Sequence, residues 1–177
     1  MTAMGVYRLE GERRSIRYER EYDAAVEDVW AVVTEPEQLR GWLAVGGAVL
    51  EPRVGGRFEV RMAPGEEETA WGKVLAFDPP HLLEVEWRYE GEEESTLRIE
   101  LERRGDGTLL VLDHYLLQAA QAAGYGSGWH AYLDALDDFL AGRAIGSWDE
   151  RFRAGLEDYR ALASGAVSAN PTRGSQP

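Results

Sequence analysis

Polar and apolar residues alternate through SIRYEREY at 15–22, with Ile16, Tyr18, Arg20 and Tyr22 set against Arg17, Glu19 and Glu21. A period of two puts the two sets on opposite faces of a half-buried strand. The period then lengthens. Val26, Val29, Trp30 and Val33 recur at helical spacing, with Asp23 near the cap position, and Pro36 opens a second short helix that ends near Trp42. Strand-like runs follow at 48–52, 56–62, 69–77, 82–89, 95–103 and 108–117. The segments between them, RVGG, APGEEE, DPPH, EGEEE and RGDG, are turn-forming and too short for parallel crossovers, so neighbours are expected to pair antiparallel. With 15–22 included, the pattern predicts a seven-stranded antiparallel meander.

Helical spacing returns at 129–143, where Trp129, Tyr132, Leu133, Leu136, Phe139 and Leu140 form one stripe opposite Asp134, Asp137 and Asp138. This long helix must lay its stripe on the sheet. A second amphipathic segment, 147–163, carries Trp148, Phe152, Leu156, Tyr159 and Leu162. It reads as an accessory helix that buries its stripe against the domain or against a second copy in a homodimer. Residues 1–14 read as an N-terminal extension, 15–143 as the domain, and the aperiodic 164–177 as a disordered tail.

Charge and composition narrow the partners. A net charge of −13 sets a like-signed field against phosphate backbones and anionic lipid, so neither a nucleic-acid nor a membrane partner is expected. The chain has no cysteine, and no apolar run of signal or membrane-spanning length, so a cytoplasmic location is the default. His81, His114 and His130 fall on separate predicted elements with no metal-binding spacing, so no metal and no cofactor are expected. Lys73, the one lysine, is expected to face solvent from a strand. The glycines of GYGSGWH do not match a dinucleotide fingerprint, a P-loop or a nucleophile elbow. Their conformational freedom suits a bend in the chain.

Strand, two short helices, six-stranded meander and long C-terminal helix together make an α+β helix-grip arrangement. VEDVWAVVTEPEQLRGWLA, EPRVGGRFEV, WGKVLAFDPPHLLEVEW, GDGTLLVLDHY and GSGWHAYLDALDDFL resemble, in order and spacing, bacterial proteins named after the activator of the heat-shock protein 90 ATPase. These belong to the START-like, or SRPBCC, superfamily, which includes pollen allergens and polyketide cyclases. The resemblance implies a curved sheet gripping the last helix, with Gly128 and Trp129 in that helix's first turn. It also implies that the face shared by Thr108, Leu110, Leu112, His114 and Leu116 points to the concave side.

The superfamily holds enzymes, carriers and co-chaperone domains on one scaffold, so function has to be argued from the site. The leading expectation is a cavity for a small apolar molecule between sheet and helix, contacted by Phe58, Val60, Met62, Val85, Trp87, Tyr89, Ile99, Leu112, His114, Trp129, Tyr132, Leu133 and Leu136. The same side chains would equally fill a dry core. His114 is the weak catalytic candidate of a cyclase- or hydrolase-type alternative, needing Tyr89, Tyr115 or Asp113 as partner. It is otherwise a core histidine bonded to Tyr132, Tyr89 or a backbone carbonyl. A chaperone-interaction module is the third reading. The resemblance further sets the two glutamate-rich turns at the cavity mouth, where Glu66, Glu67, Glu68, Glu90, Glu92, Glu93 and Glu94 would favour neutral or cationic ligands.

Overall fold

A computed structural model of the chain describes residues 2–65 and 67–168. One open antiparallel sheet has the order β1-β2-β8-β7-β6-β5-β4-β3. Its strands are β1 (Val6–Glu10), β2 (Arg13–Tyr22), β3 (Gly47–Leu50), β4 (Arg57–Arg61), β5 (Thr69–Asp78), β6 (Leu82–Tyr89), β7 (Ser95–Arg104) and β8 (Gly107–Gln118). From β3 to β8 the chain meanders, and β8 then closes onto β2. Helices α1 (Val26–Thr34) and α2 (Pro36–Leu39) carry the chain from β2 to the far edge at β3. Trp42 is buried beside them, its indole N–H donating to the Val32 carbonyl at 3.0 Å, and Trp30 meets Phe77 at 5.4 Å between ring centroids.

The sheet has eight strands, not seven, because β1 forms within the stretch read as an extension. It escapes a periodicity reading because it is an edge strand with little to bury. Val6 and Leu9 are exposed and Tyr7 is half-buried. Gly11, at φ 66°, makes the turn that pairs β1 with β2.

Alternation elsewhere sorts the faces as expected. Ile16 and Tyr18, Phe58 and Val60, Leu83 to Trp87 on alternate positions, and Leu97, Ile99 and Leu101 are all buried. Leu116 breaks the expected inward set of β8 and is 46% exposed. Opposite β8 the register steps from Ile16↔His114 to Arg14↔Leu117, so two residues of β8 face one of β2. This bulge, with Leu116 at φ 63°, turns Leu117 into the core in its place.

The long helix, α3, spans Ala122–Leu140, a full two turns earlier than its apolar stripe suggested. Gly124, Gly126 and Gly128 therefore lie inside the helix and bend nothing. At Gly126 the reason is close approach. A Cβ there would overlap the Tyr7 hydroxyl and stand 2.5 Å from the Tyr159 ring. Gly142, at φ 64°, follows the end of α3 in the left-handed conformation that suits a helix stop.

Helix α4 (Trp148–Ser168) packs along α3 and over β1. Ser127 donates to the Phe152 carbonyl at 2.6 Å, Arg151 pairs with Asp138, and Tyr159 is fully buried where its hydroxyl accepts the Gly5 N–H at 3.0 Å. The stripe expected to need a cover thus finds it within the same chain, so nothing in this packing requires a second copy. The helix continues past 163 to Ser168, five residues into the stretch read as tail, and the rest of that stretch lies outside the described residues. No described helix is long and apolar enough to cross a membrane.

Candidate functional site

The α3–α4 crossing leaves a cavity of about 280 Å³ at the end of the sheet where β6 meets the β6–β7 turn. Its walls are mostly aromatic. Trp87 and Tyr89 come from β6, Tyr125, Trp129 and Tyr132 from α3, and Trp148 and Phe152 from the first turns of α4, with Met62, Ala120, Gln121, Gly124 and Gly128 between them. A second compartment of about 540 Å³ adjoins it and shares Met62, Glu68, Tyr132 and Trp148. Trp42, Leu43, Val45, Ala135 and Ile145 give this neighbour an apolar floor and rim.

The rings form a continuous wall. Trp87 and Trp129 lie 5.4 Å apart, Trp129 and Tyr132 6.0 Å, Tyr132 and Trp148 5.3 Å, and Trp148 stacks on Phe152 at 4.8 Å. Two carboxylates interrupt it. The Tyr89 hydroxyl donates to Glu68 at 2.6 Å, and Trp87 N–H donates at 3.1 Å to Tyr125, whose hydroxyl donates to Glu92 at 2.5 Å. Burial, and then the bonded glutamate, push the Tyr89 and Tyr125 hydroxyls well above their ordinary pKa, so both stay protonated donors. The Trp148 indole N–H is enclosed without a partner among the described residues.

Of the expected contact residues, Met62, Trp87, Tyr89, Trp129 and Tyr132 line this cavity. Phe58, Val60, Val85, Ile99, Leu112, Leu133 and Leu136 sit instead in the closed core. Sheet parity assigns a face but not how far along it packing closes, which is why these groups were indistinguishable in sequence. Tyr125, Gly124, Gly128, Trp148 and Phe152 were missed for one reason. With the helix start placed at Trp129, nothing before it was on α3, and α4 was read as a separate cover. Of the mouth glutamates, Glu68 and Glu92 line the cavity, Glu93 pairs with Arg13 and Glu94 with Arg88, Glu67 and Glu90 face solvent, and Glu66 lies outside the described residues.

His114 does point inward from β8, yet it stops short of the cavity. It is fully buried behind Trp87, Tyr125 and Trp129, whose ring centroids stand 5.5, 4.7 and 6.0 Å away. Its partners are not those expected. Trp129 N–H donates to Nδ1 at 2.9 Å, which leaves Nε2 to carry the proton and donate to Ser95 Oγ at 2.8 Å. Ser95 passes its own proton to the Trp87 carbonyl at 3.3 Å. Burial lowers the imidazole from 6.5 to about 3, so it stays neutral. With both nitrogens occupied, it orients Trp129 and has no proton route to a molecule in the cavity.

His130 is half-buried between Tyr159 Oη at 2.7 Å and Thr2 Oγ1 at 2.9 Å. His81 and Lys73 are exposed. Among the described residues no three His, Asp or Glu side chains are grouped to hold a metal ion.

An antiparallel sheet capped by one long helix is the helix-grip architecture of the START-like superfamily. The chain belongs to the family described as activator of Hsp90 ATPase homolog 1-like protein, whose model matches residues 23–141. The crystal structure of CalU16 from Micromonospora echinospora is 30% identical, covers 90% of this chain and 96% of its own, and superposes with a TM-score of 0.73. A solution structure of CalU16 gives 28% identity, coverage of 93% and 97%, and a TM-score of 0.76. The protein encoded by gene BPP1335 from Bordetella parapertussis is 29% identical, with coverage of 86% and 87% and a TM-score of 0.69. A search among curated proteins returned no significant match.

Proposed function

We propose that the chain is a cytosolic binding protein that holds a small, largely apolar molecule, neutral or cationic, in the cavity between β6, α3 and α4. The observation that carries this is the cavity itself. Seven aromatic side chains from three elements face one space that continues into a second apolar compartment. A packing-only role would close such a space, since protein interiors ordinarily fill to crystal-like density. The enclosure of His114 weighs against its use as an acid or base, and the binding reading does not need it. The family's name supports a second reading, a chaperone-interaction module.

Gly124 supplies the test, because it lines the cavity and a Cβ built on it meets nothing within 4 Å. Leucine at this position has room to enter the space without displacing the fold. The neutral dye Nile red is expected to give saturable fluorescence enhancement with the wild-type chain and none with Gly124→Leu, at a melting temperature no lower than that of the wild type. Equal enhancement in the two proteins would exclude this cavity as the binding site.

A further inference from the structure

The geometry points to a narrower ligand class. We infer that the cavity is built for an organic cation, a quaternary or protonated ammonium carried on an apolar body, with the charge held between Glu68 and Glu92 and the body extending into the second compartment. The inference rests on the binding reading above and deepens it.

The acidic turns divide in a telling way. Glu93 and Glu94 point away and pair with Arg13 and Arg88. Glu68 and Glu92 line the cavity, and among the described residues neither has a basic side chain within ion-pair reach. Each receives one tyrosine hydroxyl, on Oε2, which fixes the carboxylate and leaves its other oxygen free. Neither compartment has a lysine, arginine or histidine in its lining. An anionic ligand would therefore meet the fixed carboxylates of Glu68 and Glu92, and Asp149 in the second compartment, with no counter-charge.

The aromatic wall supplies what a cation needs. A ring face carries negative electrostatic potential, strongest for tryptophan, and attracts an ammonium group even after its water is stripped. Trp87, Trp129, Tyr132 and Trp148 present such rings beside both carboxylates, and the Tyr89 and Tyr125 hydroxyls have their protons turned to the glutamates and away from the ligand. Size agrees as well. A trimethylammonium head fits the smaller space of about 280 Å³, and the apolar floor of Trp42, Leu43 and Ala135 takes the body.

The probes are (3-phenylpropyl)trimethylammonium and its carbon isostere, in which the nitrogen is replaced by an uncharged quaternary carbon. Both are titrated at 150 mM salt by tryptophan fluorescence and by the shifts of tryptophan side-chain N–H resonances. The cation is expected to bind about tenfold more tightly than the isostere or better. In the Glu68→Gln, Glu92→Gln double variant that preference should fall by about threefold or more, to what the rings alone supply, while isostere affinity is kept, and circular dichroism should show the fold intact. Equal binding of the two probes to the wild type would overturn the cation inference and leave the cavity reading standing. Binding of neither, with no resonance shifted, would overturn both. A preference undiminished in the double variant would remove the two glutamates from the site and with them the inference.

Discussion

At the residue scale, His114 shows how far a single position can be read. Its inward direction follows from strand parity taken with the family resemblance, but its partners do not. Trp129 and Ser95 lie 15 and 19 residues away and reach it only through the packing of α3 and β7. The consequence is a measurable link to pH. The unfolded chain takes up a proton near the ordinary 6.5, whereas the folded chain resists it until about 3. The folded pKa is depressed, so the stability this group contributes is fully present above 6.5 and is lost as pH falls toward 3, by about tenfold in the folding equilibrium per pH unit. Replacing His114 by leucine removes the titration but leaves the Trp129 N–H buried without an acceptor, at a cost of about 1 to 3 kcal/mol. Urea unfolding is expected to show His114→Leu less stable than wild type at pH 7, with the gap narrowing at pH 5. A gap that stays constant across that range would mean that His114 does not stay neutral in the folded chain.

At the element scale, strands were legible and helix starts were not. Turn chemistry between short alternating runs marks β2 to β8 to within a residue or two of their observed ends. The first turns of α3 defeat the same reasoning, because glycine is a poor helix former and the benefit of Gly126 lies in Tyr7 and Tyr159, on elements distant in sequence. The two accounts of these glycines separate by experiment. Were they bending the chain, alanine at either position would be costly. In a continuous helix, Gly124→Ala gains helix propensity with nothing to hit, up to about 1 kcal/mol, or about 2 to 4 °C in melting temperature. Gly126→Ala must push apart Tyr7 and Tyr159, and with them the seating of β1 and α4. Thermal melts are therefore expected to move in opposite directions for the two variants. A fall for both would restore the bend. Half of the cavity wall was illegible for this same reason, since Tyr125 and Gly124 belong to the unrecognised turns of α3 and Trp148 and Phe152 to a helix whose docking site those turns create.

At the scale of the whole molecule, the net charge of −13 acts differently from the two glutamates in the cavity. A contact between an ammonium group and Glu68 or Glu92 is shorter than the screening length, so salt weakens it less than it weakens the long-range field. The field of the surface reaches outward and is screened over about 10 Å at 0.1 M salt, but over about 30 Å at 0.01 M. An approaching anion is thus repelled twice, by the surface field at low salt and by the cavity carboxylates at any salt. Decanoate and decanamide differ in charge and little else. At 10 mM salt the amide is expected to bind far more tightly than the carboxylate, and the ratio should shrink by 500 mM without reaching one. Glu68→Gln with Glu92→Gln removes two of 32 acidic side chains, so most of the surface field survives. The double variant should therefore keep the salt dependence of decanoate binding and lose the preference that remains at 500 mM. Tighter decanoate binding at low salt than at high would show that the field does not govern entry, and a double variant with no salt dependence would place the whole effect in the cavity.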